Sequence, residues 1–351
     1  MTPGTGTGIG IGTGIGVGTG IEVMGGITGS GPGIHTLYPR LRGEWTATDG
    51  ERHWAHNPET GSLTIADPAD DPRLPGLGSV LGEGRLLGYR VNRRAVLAVG
   101  DGFVKVVRPR RLAAVVAAHR LTVSAPEGPV LPRVVGTADV GIIRLSRVGG
   151  VSLHELIRGN PEPGTLLDKE PILFHVARAL ARFHRSPTSG APNLPAGHDP
   201  ADWVATVARA EPEAAHRLQR IARSLPPLPP APPALTHGDL HDKNILIDPC
   251  GPTVGLVDLD GVAVGTAEDD VANLGVHLGL RALQAGGSVA TARILARELH
   301  GHYRRFGPLD EARLAAAELH TWFRLACLYR FRRSGRSLTP VMATLAAAAP
   351  E

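Results

Sequence analysis

Apolar positions along the chain change their spacing partway, and the change separates two kinds of element. From Gly43 to Asp67 short strand-like pieces are divided by turn signals at Asp49-Gly50 and Thr60-Gly61, and Asp71-Pro72 offers a helix start before Leu74, Leu77, Val80 and Leu81. Alternation then takes over: Leu87, Tyr89 and Val91; next Val96, Leu97 and Val99; then an Asp101-Gly102 turn and Phe103 to Val107. This predicts three antiparallel strands. Pro132 to Gly136 and Gly141 to Leu145 read as two more, and between them LAAVVAAHRLTV places Leu112, Val115 and Val116 at helical spacing, ending before Pro126.

Beyond residue 150 the helical period dominates. Ser152-Leu153-His154-Glu155 is a capping box, and ILFHVARALARFHRSP sets Leu173, Val176, Leu180 and Phe183 on one helical face, with His184 near its end as a core or capping histidine. Asp199-Pro200 starts another helix, and Pro226 to Pro233 is too rich in proline for anything but an extended connection. Helices are expected at 270–284, 289–306, 311–331 and 338–349, separated by Gly-Gly, Gly-Pro and Ser-Gly breaks.

Composition narrows the class. At 351 residues with 42% hydrophobic content, the chain suits one large two-lobed globular domain or two domains with real cores. Residues 1–36 repeat Gly-Thr and Gly-Ile with almost no charge, which costs too much backbone entropy for a packed element and reads as a disordered extension; a role in assembly would rest on composition alone. No apolar run of about 18 residues and no basic-then-apolar leader is present, so a cytoplasmic enzyme without membrane contact is the expectation. Cys250 and Cys327 share no metal-like spacing and read as packing residues. The balance of 37 Lys+Arg against 33 Asp+Glu is mildly basic, but no nucleic-acid-reading motif accompanies it, and no nucleic-acid partner is expected.

The candidate chemistry is concentrated in residues 235–260, LTHGDLHDKNILIDPCGPTVGLVDLD. Asp239 follows His237-Gly238 and precedes Asn244 by five positions, and Ile245-Leu246-Ile247 leads through a turn to a second apolar run ending at Asp258, so the stretch reads as loop, strand, turn and strand. Phosphoryl transfer needs position and electrostatic stabilisation more than covalent chemistry. Mg²⁺ takes hard oxygen ligands such as a carboxylate and an amide carbonyl, while one carboxylate must stay metal-free to face the attacking hydroxyl. HGDLHDKNILID, followed by LVDLD and then EDDVANL with Asp270-Val271-Ala272, resembles the aminoglycoside phosphotransferase and choline kinase-like superfamily.

That resemblance implies an α+β, protein kinase-like two-lobed fold with a small antiparallel β N-lobe and a larger, mainly helical C-lobe. It implies a Mg²⁺-dependent transfer of the γ-phosphate of ATP or GTP to a hydroxyl. The organisation expected is the Gly-rich 1–36, a β-rich appendage and connecting helix at 37–84, an N-lobe at 85–148 and a C-lobe at 149–351 holding the catalytic loop 235–260. By the same resemblance Asp239 orients and deprotonates the acceptor, Asn244 and Asp258 bind Mg²⁺, and Asp260 is a second metal ligand or a loop brace. Lys105 steadies the nucleotide phosphates, His237 and Asp270 hold the loop by hydrogen bonds, and the backbone around Ser146, Arg147 and Val148 meets the base.

Two departures from the kinase pattern stand out. Val91-Asn92-Arg93-Arg94 has no G-x-G-x-x-G, so phosphate cover there must use Asn92 or arginines such as Arg94. The following helix carries no Glu to pair with Lys105; His119 stands in that region and Glu127 lies beyond Pro126. These departures leave room for a kinase-like binding module without turnover.

The acceptor is least defined. Between 271 and 351 eleven arginines face five acids, a balance that argues against a polycationic aminoglycoside unless the arginines are a solvated helix face. A small-molecule hydroxyl of antibiotic, sugar or amino alcohol type is expected, with a Ser or Thr of an acidic peptide near Arg304 and Arg305 as the alternative.

Overall fold

The structure, a computed structural model, describes residues 36–39, 45–49, 51–56, 63–122, 128–158, 170–193, 199–251, 253–332 and 336–347; residues 1–35, the Thr60-Gly61 turn and Glu127 lie outside them. Thr36, grouped with the Gly-rich extension by composition, opens the first strand. Strands β1 (Thr36–Pro39), β2 (Trp45–Thr48), β3 (His53–His56) and β4 (Leu63–Ile65) form an antiparallel sheet in sequence order. It sits on the next sheet through Ala55 and through an edge contact of His53 with Tyr89 at 4.8 Å. The helix expected after Asp71-Pro72 is one short turn, α1 (Leu77–Val80).

Strands β5 (Arg85–Arg90), β6 (Arg94–Val99), β7 (Gly102–Val107), β8 (Val134–Ala138) and β9 (Ile142–Ser146) make a five-stranded antiparallel sheet in the order β5-β6-β7-β9-β8. Alternation on β7 decides the two faces. Val104 and Val106 join Leu74, Leu77 and Val80 on one side, while Phe103 and Val107 pack with Val115 and Val116 of α2 (Pro109–Leu121) on the other. Lys105 therefore shares the α2 side, and it is buried. In β5 the expected face is reversed at its start, because a register shift between Leu86 and Gly88 turns Leu87 outward, 44% exposed, and Leu86 toward the core.

The chain enters the helical half through β10 (Val151–Ser152) and α3 (Leu153–Arg158), where the capping box is reciprocal: Glu155 N–H donates to Ser152 Oγ at 3.1 Å and Ser152 N–H to Glu155 Oε2 at 3.2 Å. Helices α4 (Glu170–His184), α5 (Pro200–Ala208) and α6 (Pro212–Ser224) follow, and Leu173, Val176, Leu180 and Phe183 of α4 are all buried. An extended proline stretch feeds β11 (Pro233–Thr236). The hairpin β12 (Ile245–Ile247) and β13 (Val254–Leu256) comes next, with β10 pairing β12, and then β14 (Ala263–Thr266), which pairs with β11. Four helices complete the lobe: α7 (Ala267–Gln284), α8 (Val289–Arg304), α9 (Glu311–Leu328) and α10 (Thr339–Ala347). The fold is α+β with a small antiparallel N-lobe and a larger, mainly helical C-lobe. No helix among the described residues is long and apolar enough to cross a membrane. Cys327 is buried, but Cys250 is exposed on the β12–β13 turn and is no core residue, because the hairpin buries its strands and leaves its tip in solvent.

A buried ionic network ties three C-lobe elements together. Asp242, with no exposed surface, accepts from Arg281 Nε of α7 at 2.8 Å and lies 2.6 Å from His154 Nδ1 of α3. Burial alone would raise the Asp242 pKa, yet Arg281 and His154 hold it below the usual carboxylate range. Asp242→Ala leaves Arg281 enclosed without its partner and is expected to cost ~3–5 kcal/mol in urea unfolding at neutral pH. Because the folded pKa is depressed, the stabilisation is full above the unfolded value of about 3.9 and is lost as pH falls below it. Asp242→Asn should therefore show a shallower fall in stability between pH 5 and pH 3 than wild type; an equal slope in both would deny the network this role.

Candidate functional site

The catalytic-loop motif is held from behind by one buried carboxylate. Asp270, in the first turn of α7, accepts from the backbone N–H of His237 at 2.6 Å and of Gly238 at 3.1 Å. Burial would raise its pKa, but hydrogen bonding and charge from His184, with His237, keep it lowered. His184 is fully engaged, with Nε2 3.2 Å from Asp270 Oδ2 and Nδ1 2.7 Å from the Tyr303 hydroxyl, as expected of a core histidine. His237 Nε2 lies 2.9 Å from the Val257 carbonyl, which can only accept, so that nitrogen carries the proton. Gly238 adopts φ +78°, a left-handed turn that a side chain would strain, and Asp239 follows it on the exposed side.

Asn244 closes this loop. Its Nδ2 donates to the Asp239 carbonyl at 3.0 Å, which leaves Oδ1 as the acceptor end of the amide. Five residues bring that amide back to the aspartate because a short 3₁₀ turn, Asp242–Asn244, intervenes. The next hairpin ends at Asp258, whose backbone is left-handed at φ 63°. Aspartate tolerates that region better than most residues, and a strained position held by its surroundings is a mark of functional loops.

Across the cleft, the N-lobe sheet meets these carboxylates. Lys105 Nζ lies 2.6 Å from Asp258 Oδ1 and 2.7 Å from Asp260 Oδ1, and Arg94 Nη1 lies 3.1 Å from Asp258 Oδ1 and 3.7 Å from Asp260 Oδ2. The Asp260 contact satisfies charge without hydrogen-bond angles, since Oδ1 is buried with no hydrogen-bond partner. Burial would raise the Asp258 pKa; Lys105 and Arg94 outweigh it and hold the carboxyl far below the carboxylate range. Asp260 is lowered in the same way against burial, helped by His119 and Lys105.

These positions answer the two departures noted in the sequence. The carboxylates beside Lys105 are Asp258 and Asp260, from the hairpin that follows the loop, and no helical glutamate is needed among the described residues. His119 of α2 stands behind them, Nε2 3.8 Å from Asp260 Oδ1, too long for a hydrogen bond. Arg94 reaches the aspartates themselves. Asn92, left-handed at φ 60°, is held by Asp71, whose Oδ2 accepts from Asn92 N–H at 2.6 Å and from the Tyr89 hydroxyl at 2.8 Å. Asp71, expected only to start a helix, thus fixes the β5–β6 loop; nothing in its local pattern signals this.

At the inter-lobe connection, Ser146 N–H is already donated to the Arg133 carbonyl at 2.9 Å, and Val148 is buried with its side chain toward Gly255 of β13. The arginine surplus of the C-terminal helices largely dissolves in three dimensions. Arg281 pairs with Asp242, Arg313 with Asp269 and Arg330 with Glu211, all acids outside the segment counted. Arg304 is taken by Glu311 at 2.8 and 2.6 Å, while Arg305 lies over the Phe174 ring at 5.1 Å, so the pair offers one unneutralised cation to an acidic peptide rather than two. A crevice between α7, α8 and α9, lined by Gly275, Arg297, His300, Glu318 and Trp322, includes none of the motif residues.

Comparison with known proteins agrees with this architecture. Aminoglycoside phosphotransferase APH(3'')-Id from Streptomyces rimosus ATCC10970 is 21% identical with a TM-score of 0.51, over 73% of this chain and 96% of that one. The ADP-bound aminoglycoside phosphotransferase APH(2'')-Ib is 16% identical at 0.50, over 79% and 97%. A GDP complex of aminoglycoside 2'-phosphotransferase-IIIa is 15% identical at 0.50, over 75% and 91%. At these identities the likeness is one of fold. No curated protein matches the sequence. Residues 89–322 match the model of the phosphotransferase enzyme family, a span running from β5 of the N-lobe sheet to α9 and taking in the loop, the hairpin and Lys105, and the chain belongs to that family.

Proposed function

We propose that this phosphotransferase moves the γ-phosphoryl group of a Mg²⁺-bound nucleoside triphosphate to the hydroxyl of a small molecule, with the chemistry divided between the lobes. The observation that carries the reading is the meeting of Lys105 and Arg94 with Asp258 and Asp260 across the cleft. Two carboxylates and the Asn244 Oδ1 are a hard-oxygen donor set, and no group of three or more His, Cys, Asp or Glu side chains among the described residues could hold an ion by itself. Such a partial shell suits Mg²⁺, which keeps waters and takes phosphate oxygens as its remaining ligands. The ion would supply charge neutralisation on the phosphates.

The chain's own residues have separate tasks. Lys105 and Arg94 provide cations for the α-, β- and γ-phosphates and are held ready by the aspartates. Asp239, exposed and not ion-paired with Lys105 or Arg94, orients the acceptor hydroxyl and takes its proton as the oxygen–phosphorus bond forms and the bond to the β-phosphate oxygen breaks. His237, Gly238 and Asp270 fix that aspartate's backbone. A base entering beside the inter-lobe connection would find its backbone partners at Arg147 and Val148, since Ser146 N–H is spent. The ADP and GDP complexes of the similar folds support both nucleotides as candidates. A module without turnover is disfavoured, because Lys105 has carboxylate partners although its helix lacks a glutamate.

Thermal unfolding with and without Mg²⁺ and ATP or GTP tests the nucleotide site. A nucleotide at about 100 times its Kd should stabilise wild type by roughly 2.7 kcal/mol. Asp258→Ala should lose that rise, and a wild type that moves with neither nucleotide would remove the proposal.

The proton acceptor is tested separately. Asp239→Asn should lower kcat about 10²- to 10⁴-fold while keeping the nucleotide-induced rise in Tm. Near-normal turnover in this variant would rule out the assigned role.

A further inference from the structure

Asp239 stands in more positive charge than its own reaction needs. Arg90 at the end of β5 and Arg324 of α9 are near enough to feel the Asp239 carboxylate, and both also feel Arg332, just past α9. None of the three has a carboxylate partner among the described residues. Arg90 lies over the Tyr38 ring at 5.0 Å, and Arg332 over the Tyr329 ring at 5.0 Å. Arg324 Nη2 donates to Asn273 Oδ1 at 2.6 Å, and Asn273 Nδ2 donates to the carbonyl of Leu240, the residue after Asp239, at 2.7 Å. One amide thus ties Arg324 to the loop. Thr36 of β1 bridges Arg332, so the small N-terminal sheet borders the same opening.

The contrast with the rest of the lobe is chemical. Arg281, Arg313 and Arg330 each have an acid; the carboxylate that Arg90 and Arg324 feel is one the phosphotransferase reading commits to the acceptor hydroxyl, and Arg332 adds a third guanidinium beside them. His277 adds no anion. Its ring lies tilted against that of His241 at 5.2 Å, and its Nδ1 is buried without a hydrogen-bond partner. Burial, then Arg324, keeps its pKa well below the ordinary histidine value. A half-buried guanidinium with only an amide partner is poorly compensated, and its planar fork matches a carboxylate or phosphate. A cationic acceptor would instead meet repulsion from three sides.

We infer that the acceptor is a hydroxyl compound bearing a carboxylate or phosphate, with Arg324 and Arg332 as its anion-binding residues and Arg90 completing the field from the N-lobe. The inference rests on Asp239 acting at the acceptor hydroxyl, as proposed above.

The test uses the full chain with Mg²⁺ and saturating ADP or GDP, so that Lys105 and Arg94 are already occupied. Melting temperature is then followed with glycerate and glycerol 3-phosphate as anionic probes, glycerol as the neutral one and 2-amino-1,3-propanediol as the cationic one, at equal ionic strength. The anionic probes should raise Tm by about 2 °C or more, and the other two should not. In Arg332→Gln and in Arg324→Gln the apparent affinity for the anions should fall about ten-fold or more. Arg324→Lys should keep part of it, and Arg332→Gln, at a partly exposed site, guards against a folding defect in the other variant. Anions that leave wild type unmoved, anions that act equally on wild type and both Gln variants, or an amine that stabilises more than they do would each overturn the inference. The nucleotide shift measured first separates the two failures. If neither ADP nor GDP moves wild type, the phosphotransferase reading itself is lost; if a nucleotide moves it and the anions do not, only the anionic acceptor is.

Discussion

Two cations from the N-lobe sheet and two aspartates from a C-lobe hairpin meet in the cleft, and the architecture on either side can be understood as the means of bringing them there. Lys105 is nearly enclosed, so its ammonium must have anionic partners or pay a large desolvation penalty. Those partners arrive from 153 residues further along the chain. Nothing local to β7 could supply them, which is why α2 can lack an acid and the site still be charge-balanced. The left-handed backbone at Asp258 and the turn after it set both carboxylates on the same cations, while α2 packs against that turn and places His119 behind Asp260.

The same logic of distant compensation explains Asp270. A carboxylate buried in the first turn of a helix would be costly alone, but it accepts two backbone N–H groups of the catalytic loop and faces His184. The loop gains a fixed entry angle, and α7 gains an acid near the positive end of its dipole. Asn273, one turn further on the same helix, repeats the device on the Leu240 carbonyl. Loop and helix are therefore hydrogen-bonded as one unit, with Gly238 and Asp239 exposed at its tip.

Much of this was legible from residue order. Alternation gave the five N-lobe strands, helical period gave the last four helices nearly to their ends, and three motifs in register located the loop, the hairpin and the helix start. The misreadings share a cause, in that they concern what a residue meets across the fold. A bulge between Leu86 and Gly88 reverses Leu87 without any turn residue announcing it, and Cys250 is apolar in character but sits on a hairpin tip. Arg94, read as phosphate cover, also reaches the aspartates, a contact its sequence neighbours do not announce. A helical spacing argument could have found Asn273, three residues after Asp270 and so on its face. No local pattern could have found Asp71 under the β5–β6 loop, or Arg324 and Arg332 beside Asp239.

Counting charge by segment failed in an instructive way. The C-terminal helices carry a surplus of arginine in sequence, but Asp242, Asp269 and Glu211 neutralise much of it from outside the counted stretch. What survives is smaller and better placed: three guanidiniums around one loop. Two of them, Arg324 and Arg332, belong to the C-lobe, and Arg90 belongs to the N-lobe sheet. Like charges drawn from opposite lobes repel one another unless an anion lies between them, so an acceptor that brings that anion would relieve the repulsion as it binds, and a polycation would add to it.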